Sequence, residues 1–156
     1  MTEKIENDFV YDVLSIYKDD HKYLTDVEYD NNKISCRLKP TEYPYTVETT
    51  FDYITSVTAT LYACQLTYVL FALMIKNSKF ENLNDLTYDE YIKSRDEAKL
   101  KFLRYNFKFT QPVKNDTFIT ASMKFKGVIE KRNKKFYSTT FKIGNGIIGE
   151  LLSTII

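Results

Sequence analysis

The chain has 156 residues, with 22 Lys and Arg against 21 Asp and Glu and a formal net charge of +1. That length suits one domain, and that balance excludes a partner held by overall charge alone. Two cysteines and one histidine exclude a disulfide framework, and one His with no carboxylate-rich helical spacing does not make a metal site.

The charge is unevenly spread. Residues 1–30 hold nine acidic side chains against three lysines, whereas residues 100–143 hold eleven Lys and Arg against Asp116 and Glu130. A basic C-terminal half points to an anionic partner such as a phosphate-bearing ligand or an acidic protein; a solvated sheet face gives the same pattern. The first residues carry no signal-peptide pattern, and unpaired cysteines suit a reducing setting, so a cytoplasmic location is expected. Thirteen Tyr and eleven Phe without Trp predict an aromatic-rich core.

Taken in order, Glu3–Tyr17 places Phe9, Val10, Val13, Leu14, Ile16 and Tyr17 at helical spacing, which predicts an N-terminal helix over 3–17. Residues 23–29 and 33–38 alternate apolar and polar about Asp30-Asn31-Asn32, which predicts a β-hairpin. Pro40 and Pro44 break the chain, and Tyr45–Thr50 reads as extended or irregular. Phe51–Ile75 then runs for 23 residues after Asp52 without a charge, a Pro or a Gly. A helix apolar on every side is buried on every side, so a long central helix is predicted over 51–76. A membrane span fits that length, but Thr55, Ser56, Thr58, Thr60, Gln65 and Thr67 interrupt it and no juxtamembrane basic cluster flanks it. No membrane span is expected.

Lys76–Leu86 reads as a polar connector. Thr87 with Glu90 three residues later is capping-box chemistry for a second, shorter helix. Leu100–Thr110, Thr117–Glu130, Phe136–Ile143 and Ile147–Ile156 read as strands, with Lys131–Lys134 as a hairpin loop and Gly144, Gly146 and Gly149 at a bend or bulge. The sequence of elements predicts the α+β class and one domain over 1–156: a hotdog fold, an antiparallel sheet wrapped around the long central helix. One such sheet leaves part of its helix uncovered, so a homodimer or higher homo-oligomer with a continuous sheet is expected.

Short motifs from about Tyr17 to Asn115 carry a resemblance. They are Tyr17 followed by Tyr23-Leu24-Thr25-Asp26-Val27-Glu28-Tyr29; Glu42-Tyr43-Pro44-Tyr45; Gln65-Leu66-Thr67-Tyr68; and Phe107-Lys108 followed by Pro112. In that order the chain resembles the FcoT-like family of hotdog proteins, fatty acyl thioesterases and their relatives. The resemblance implies a thioester site lined by tyrosines, which carry over to Tyr17, Tyr45 and Tyr68, and by asparagines, which do not. Their positions fall near Thr55 and on Cys64, while a family His falls near Tyr53 and a Glu near Thr58.

The same resemblance implies a thioester carbonyl near the start of the central helix, where free amides polarise an oxygen. Asp52, Tyr53, Ile54 and Thr55 are the candidates there, and Asp52 and Glu48 are the nearby carboxylates for a water. Asp52 also reads as a cap or first-turn acid. Tyr45 and Tyr68 are candidate donors to the thioester oxygen, their alternative being packing. The catalytic candidates are therefore Tyr45, Asp52, Thr55 and Tyr68, with Tyr17, Tyr53, Cys64 and Gln65 binding substrate. Cys64, Tyr68 and Ala72 share a helix face as the expected pocket wall, with Leu61 beside it. Nothing beside Cys64 in sequence lowers its pKa, which argues against a nucleophile. His21 reads as a surface residue, and no cofactor is expected.

Lys124, Lys126, Lys131, Arg132, Lys134 and Lys135 are candidates for the phosphates of coenzyme A or the acidic surface of an acyl carrier protein; no nucleic-acid motif accompanies them. Three activities follow from the resemblance: hydrolysis of fatty acyl thioesters; addition of an amine such as glycine to an enoyl-carrier thioester, as in isonitrile lipopeptide pathways; and non-catalytic acyl or carrier binding.

Overall fold

The uncharged stretch folds as one helix, α2, over Ser56–Lys76. In the computed structural model, which describes residues 1–40, 53–77 and 86–156, every α2 residue from Gln65 to Ile75 is buried. Its first half is different. Val57, Thr60, Leu61 and Cys64 stay at least partly open and form a stripe at helical spacing. By length and composition α2 would cross a membrane, but 83% of its most apolar window is buried inside this protein.

The helix begins later than predicted. Tyr53 forms an isolated antiparallel bridge with Lys114, and the Ile54 amide donates to Val113 O at 2.8 Å. Those pairings hold residues 53–54 in an extended path, and Thr55 caps the helix by accepting from the Thr58 amide at 3.3 Å. The first turn of α2 accordingly holds no acidic residue, and Asp52 lies outside the described residues. Lys76 sits in the last turn, where the helix dipole favours a cation.

The covering layer is a seven-stranded sheet in the order β1-β2-β3-β5-β6-β7-β4, antiparallel throughout. Its strands are β1 (Glu3–Lys4), β2 (Leu24–Asp30), β3 (Lys33–Leu38), β4 (Leu100–Phe109), β5 (Ile119–Lys131), β6 (Lys134–Ile143) and β7 (Ile147–Ile155). Alternation places Ile34, Cys36 and Leu38 of β3, Met123 and Phe125 of β5, Tyr137 and Phe141 of β6 and Leu151 of β7 against α2. Phe71 of α2 meets Phe125 and Tyr137 edge to face, at 6.3 and 5.5 Å between ring centroids. This is the predicted hotdog arrangement, a sheet curled about one buried helix, with α1 (Asn7–Val13) and α3 (Tyr88–Asp96) beside it.

Other boundaries moved for tertiary reasons. The predicted helix over 3–17 shrinks to Asn7–Val13, because Glu3 and Lys4 pair with Tyr29 and Glu28 as a strand. In β4 the register shifts between Phe102 and Arg104, so Leu103 bulges outward and is 50% exposed. Phe102 thereby joins Tyr105 and Phe107 on the inner side, which the strict alternation of a regular strand would not allow. The β5–β6 hairpin closes on two residues, Arg132 and Asn133, both with positive φ near +55° (52° and 59°), so both strands run one or two residues further than predicted. Tyr45–Thr50 and most of the Lys76–Leu86 connector lie outside the described residues.

Candidate functional site

Where the open stripe of α2 meets the inner face of β4, polar side chains converge. Cys64 and Tyr68 project from one face of α2, one turn apart. The β4 bulge turns Phe102 and Tyr105 toward them. Tyr17 arrives from the turn after α1, its amide donating to Leu14 O at 2.9 Å. The rings form a continuous run: Tyr17 to Tyr68 at 6.4 Å, Tyr68 to Phe102 at 5.6 Å, and Phe102 to Tyr105 at 5.9 Å. The run closes on the helix where Tyr105 Oη lies 2.7 Å from Cys64 Sγ. Cys64, Tyr17, Phe102 and Tyr105 are half-buried and Tyr68 is nearly sealed.

The electrostatics keep this cluster neutral. Burial pushes the Tyr17, Tyr68 and Tyr105 hydroxyls above the usual phenol range, and their proximity to Cys64 adds to it. Burial also raises the Cys64 thiol, opposed by its hydrogen bond to Tyr105. A protonated thiol is a poor nucleophile, whereas three neutral phenols are hydrogen-bond donors. The backbone under Tyr68 is fixed from α3, where the buried Tyr91 hydroxyl donates to Tyr68 O at 2.9 Å.

The predicted site residues divide. Tyr17, Cys64 and Tyr68 come together. Tyr53 and Thr55 do not join them: thirteen residues of helix between Thr55 and Tyr68 put about 20 Å of axis between the two groups. Thr55 serves as the N-cap, with its hydroxyl also 3.2 Å from that of Thr58. The Ile54 amide, expected to polarise a carbonyl, is spent on Val113. Gln65 points away from the cluster. Fully buried, it donates to His21 O at 2.7 Å and accepts from the Tyr23 amide at 3.0 Å, so its whole amide group clamps the segment entering β2. Tyr45, Asp52 and Glu48 lie outside the described residues.

Phe102 and Tyr105 were missed in the sequence. The alternation of Leu100–Thr110 puts Tyr105 in phase with Phe107, but nothing local reveals which helix face stands opposite. The basic candidates separate into two places. Lys124 and Lys126 are exposed on the outer face of β5, with Lys124 directly opposite Lys33 of β3. Lys131, Arg132 and Lys134 are exposed at the β5–β6 tip, where Lys131 faces Lys134 and the half-buried Lys135 faces Glu130. The tip borders an open depression of about 390 Å³ lined by residues 130–135. It lies toward the Phe102 end of the cluster: Ser153 pairs with both Phe102 and Tyr137, and Lys135 is two residues beyond Tyr137.

Similarity to known proteins agrees with this architecture. A family model described as an FcoT-like thioesterase domain matches residues 12–144. Among solved structures, Cj0977, a sigma28-regulated virulence protein from Campylobacter jejuni, is 11% identical, with 99% of this chain and 94% of that one covered at a TM-score of 0.50. A thioesterase superfamily protein from Shewanella loihica PV-4 is 11% identical over 85% and 90% of the chains, with a TM-score of 0.47. Thioesterase HI1161 from Haemophilus influenzae is 12% identical over 82% and 74%, with a TM-score of 0.45. No curated protein sequence matches the chain.

Proposed function

The chain belongs to the FcoT-like thioesterase domain family, and from that membership we propose that it hydrolyses fatty acyl thioesters carried on coenzyme A or an acyl carrier protein. The observation that best supports this is the neutral donor cluster of Tyr17, Tyr68 and the Cys64–Tyr105 pair at the open stripe of α2. The Tyr17 and Tyr68 hydroxyls make no hydrogen bond among the described residues, which leaves both protons for a thioester oxygen. Such donation stabilises the oxyanion that forms as water adds to the carbonyl carbon. The carbon–sulfur bond then breaks, and water supplies the hydroxyl of the acid and the proton of the carrier thiol. The exposed Lys131, Arg132 and Lys134, with Lys135 and with Lys124 and Lys126 on the sheet, suit the phosphates or acidic surface of the carrier. A second copy pairs along β4, whose ten residues have β7 as their one partner strand among the described residues.

One feature favours a second reading. Among the described residues, those forming the cluster are phenols, a thiol and a Phe, without a carboxylate or imidazole to activate water. Addition of an amine such as glycine to an enoyl thioester needs carbonyl polarisation and no hydrolytic water.

The test is a panel of saturated and 2-enoyl thioesters on coenzyme A and on a carrier protein, with and without glycine. Release of free thiol is expected. An amine adduct that keeps its thioester would move the assignment to the second reading. Acyl binding without either product would make the protein a binding module. Charge reversal at Lys131 and Lys134 is expected to raise KM for the carrier-bound substrate with little change in kcat. Sedimentation is expected to give twice the 18.4 kDa chain mass, and a single-chain species would remove the dimer.

A further inference from the structure

The Cys64–Tyr105 contact is the one hydrogen bond that ties α2 to β4 inside the cluster, and either atom can be its donor. A thiol is a weak donor and a weak acceptor, and a phenol is a good donor with one proton to give. With the phenol proton on sulfur, the better donor is spent on the poorer acceptor. With the thiol proton on the phenol oxygen, the phenol proton is free to point elsewhere, and each bond polarises the next. Two features set where the hydroxyl sits. The Tyr105 ring is held against Phe102, which is held against Tyr68, so its hydroxyl stays on the rim shared with Tyr17 and Tyr68. Both Cys64 and Tyr105 are half-buried, so their contact lies at the edge of the core, beside the open stripe of the helix. Tyr105 is anchored through a β4–β7 rung opposite Leu151, which is buried, while the neighbouring bulge at Leu103 sets the strand's rotation.

We propose that Tyr105 is a third donor to the thioester carbonyl oxygen and that Cys64 positions its hydroxyl by donating to it. The inference rests on the thioester reading above. It assigns the thiol a role that needs no thiolate, in keeping with a half-buried cysteine whose pKa desolvation raises. It also explains why the contact joins the helix to the strand across the cluster instead of lying within either element.

The experiment uses the full chain and the fatty acyl-CoA that the wild type turns over best, beside the matching S-alkyl-CoA thioether, which lacks the carbonyl. Tyr105→Phe is expected to lower kcat by about 10²-fold, as loss of one preorganised oxyanion donor does, with KM and thioether affinity within about twofold of wild type. Cys64→Ala is expected to lower kcat less, and Cys64→Ser to restore it, because a serine hydroxyl can hold the phenol in the same way. Turnover by Tyr105→Phe close to that of the wild type would overturn the donor role. A fall in thioether affinity matching the fall in kcat would overturn it too, by making Tyr105 a packing residue. Full activity in Cys64→Ala beside an impaired Tyr105→Phe would overturn the positioning role. A wild type that turns over no thioester would overturn the thioester reading itself and this inference with it.

Discussion

Gln65 and Gly149 show how single side chains set what surrounds the cluster. Gln65 satisfies the Tyr23 amide and the His21 carbonyl with the two ends of one buried amide group. Gln65→Leu keeps the volume but leaves both backbone groups unpaired away from water, at about 1–3 kcal/mol each. A loss of roughly 3 kcal/mol in urea unfolding is expected, with KM unchanged in the folded fraction. An unaltered midpoint with a raised KM would return Gln65 to the substrate. Gly149 has ordinary backbone angles, so its need is for space. A Cβ there would stand 2.5 Å from Phe141 Cζ and 2.6 Å from Phe107 Cβ. Phe107 Cβ is close to its backbone and cannot swing aside, so Gly149→Ala is expected to cost about 1–3 kcal/mol by overpacking. Trimming the facing ring relieves half of the clash, so Gly149→Ala with Phe141→Leu is expected to cost less than the sum of the two single changes in a double-mutant cycle. Strict additivity would show that the strand moves away as a body.

At the scale of elements, what was legible in the sequence depended on whether the deciding contact was local. The Thr87 and Glu90 capping box fixed the start of α3, and both of its reciprocal hydrogen bonds form. The Asp30-Asn31-Asn32 turn fixed the β2–β3 hairpin to within a residue, with Asn31 at a positive φ of 57°. Boundaries set from far away were not legible. The start of α2 depends on Val113, and the start of α1 depends on a strand pairing with Tyr29. The site followed the same division. Cys64 and Tyr68 share a face by helical spacing alone, and Tyr17 came with the family resemblance, but Tyr105 depends on a bulge and a sheet register. Thr55 caps α2, so Thr55→Ala is expected to cost about 1 kcal/mol and Thr55→Ser almost nothing, with kcat unchanged in both. A fall in kcat without a fall in stability would restore the catalytic role expected for Thr55. Arg95, 4% exposed on α3, donates to Asp12 O at 2.9 Å and Val13 O at 2.5 Å, and pairs with Asp96. It thereby satisfies carbonyls at the end of α1, just before the turn that delivers Tyr17. Arg95→Met is expected to cost about 2–4 kcal/mol and to speed hydrogen exchange at the Tyr17 amide. Unchanged exchange there would show that the turn holds without α3.

For the whole molecule, an aromatic-rich core with one buried and one half-buried thiol makes alkaline pH the weak side. Burial pushes the Cys36 thiol up to about 12, and Tyr91, fully buried, well above the ordinary phenol range. Tyr17 and Tyr105 shift the same way but are half-exposed, so solvent screening reduces their weight. In the unfolded chain a thiol loses its proton near ~8.5 and a phenol near ~10. Above those values the unfolded chain has released protons that the folded chain still holds. Stability is then present in full below about pH 8 and falls as pH rises through each window, by about 1.4 kcal/mol per pH unit for each sealed group inside it. The acid side has no counterpart of that weight. Asp19, Glu90 and Glu97 are held below the usual carboxylate range by Lys22, by Thr87 and by Lys99, but all three stand in solvent. Their contribution is present above the ordinary carboxylate pKa and is lost as pH falls below it, and water and salt keep it small. The expected melting profile is flat from about pH 6 to 8, bends down near 9 as Cys36 enters its window, and steepens past about 10 as the phenols follow. Cys36→Val, close in size on the inner face of β3, is expected to shrink the first bend to the smaller part that the half-buried Cys64 contributes and to leave the second in place. A wild-type profile still flat at about pH 11 would mean that these groups meet water in the folded chain as freely as in the unfolded one, which is incompatible with a sheet that closes over α2.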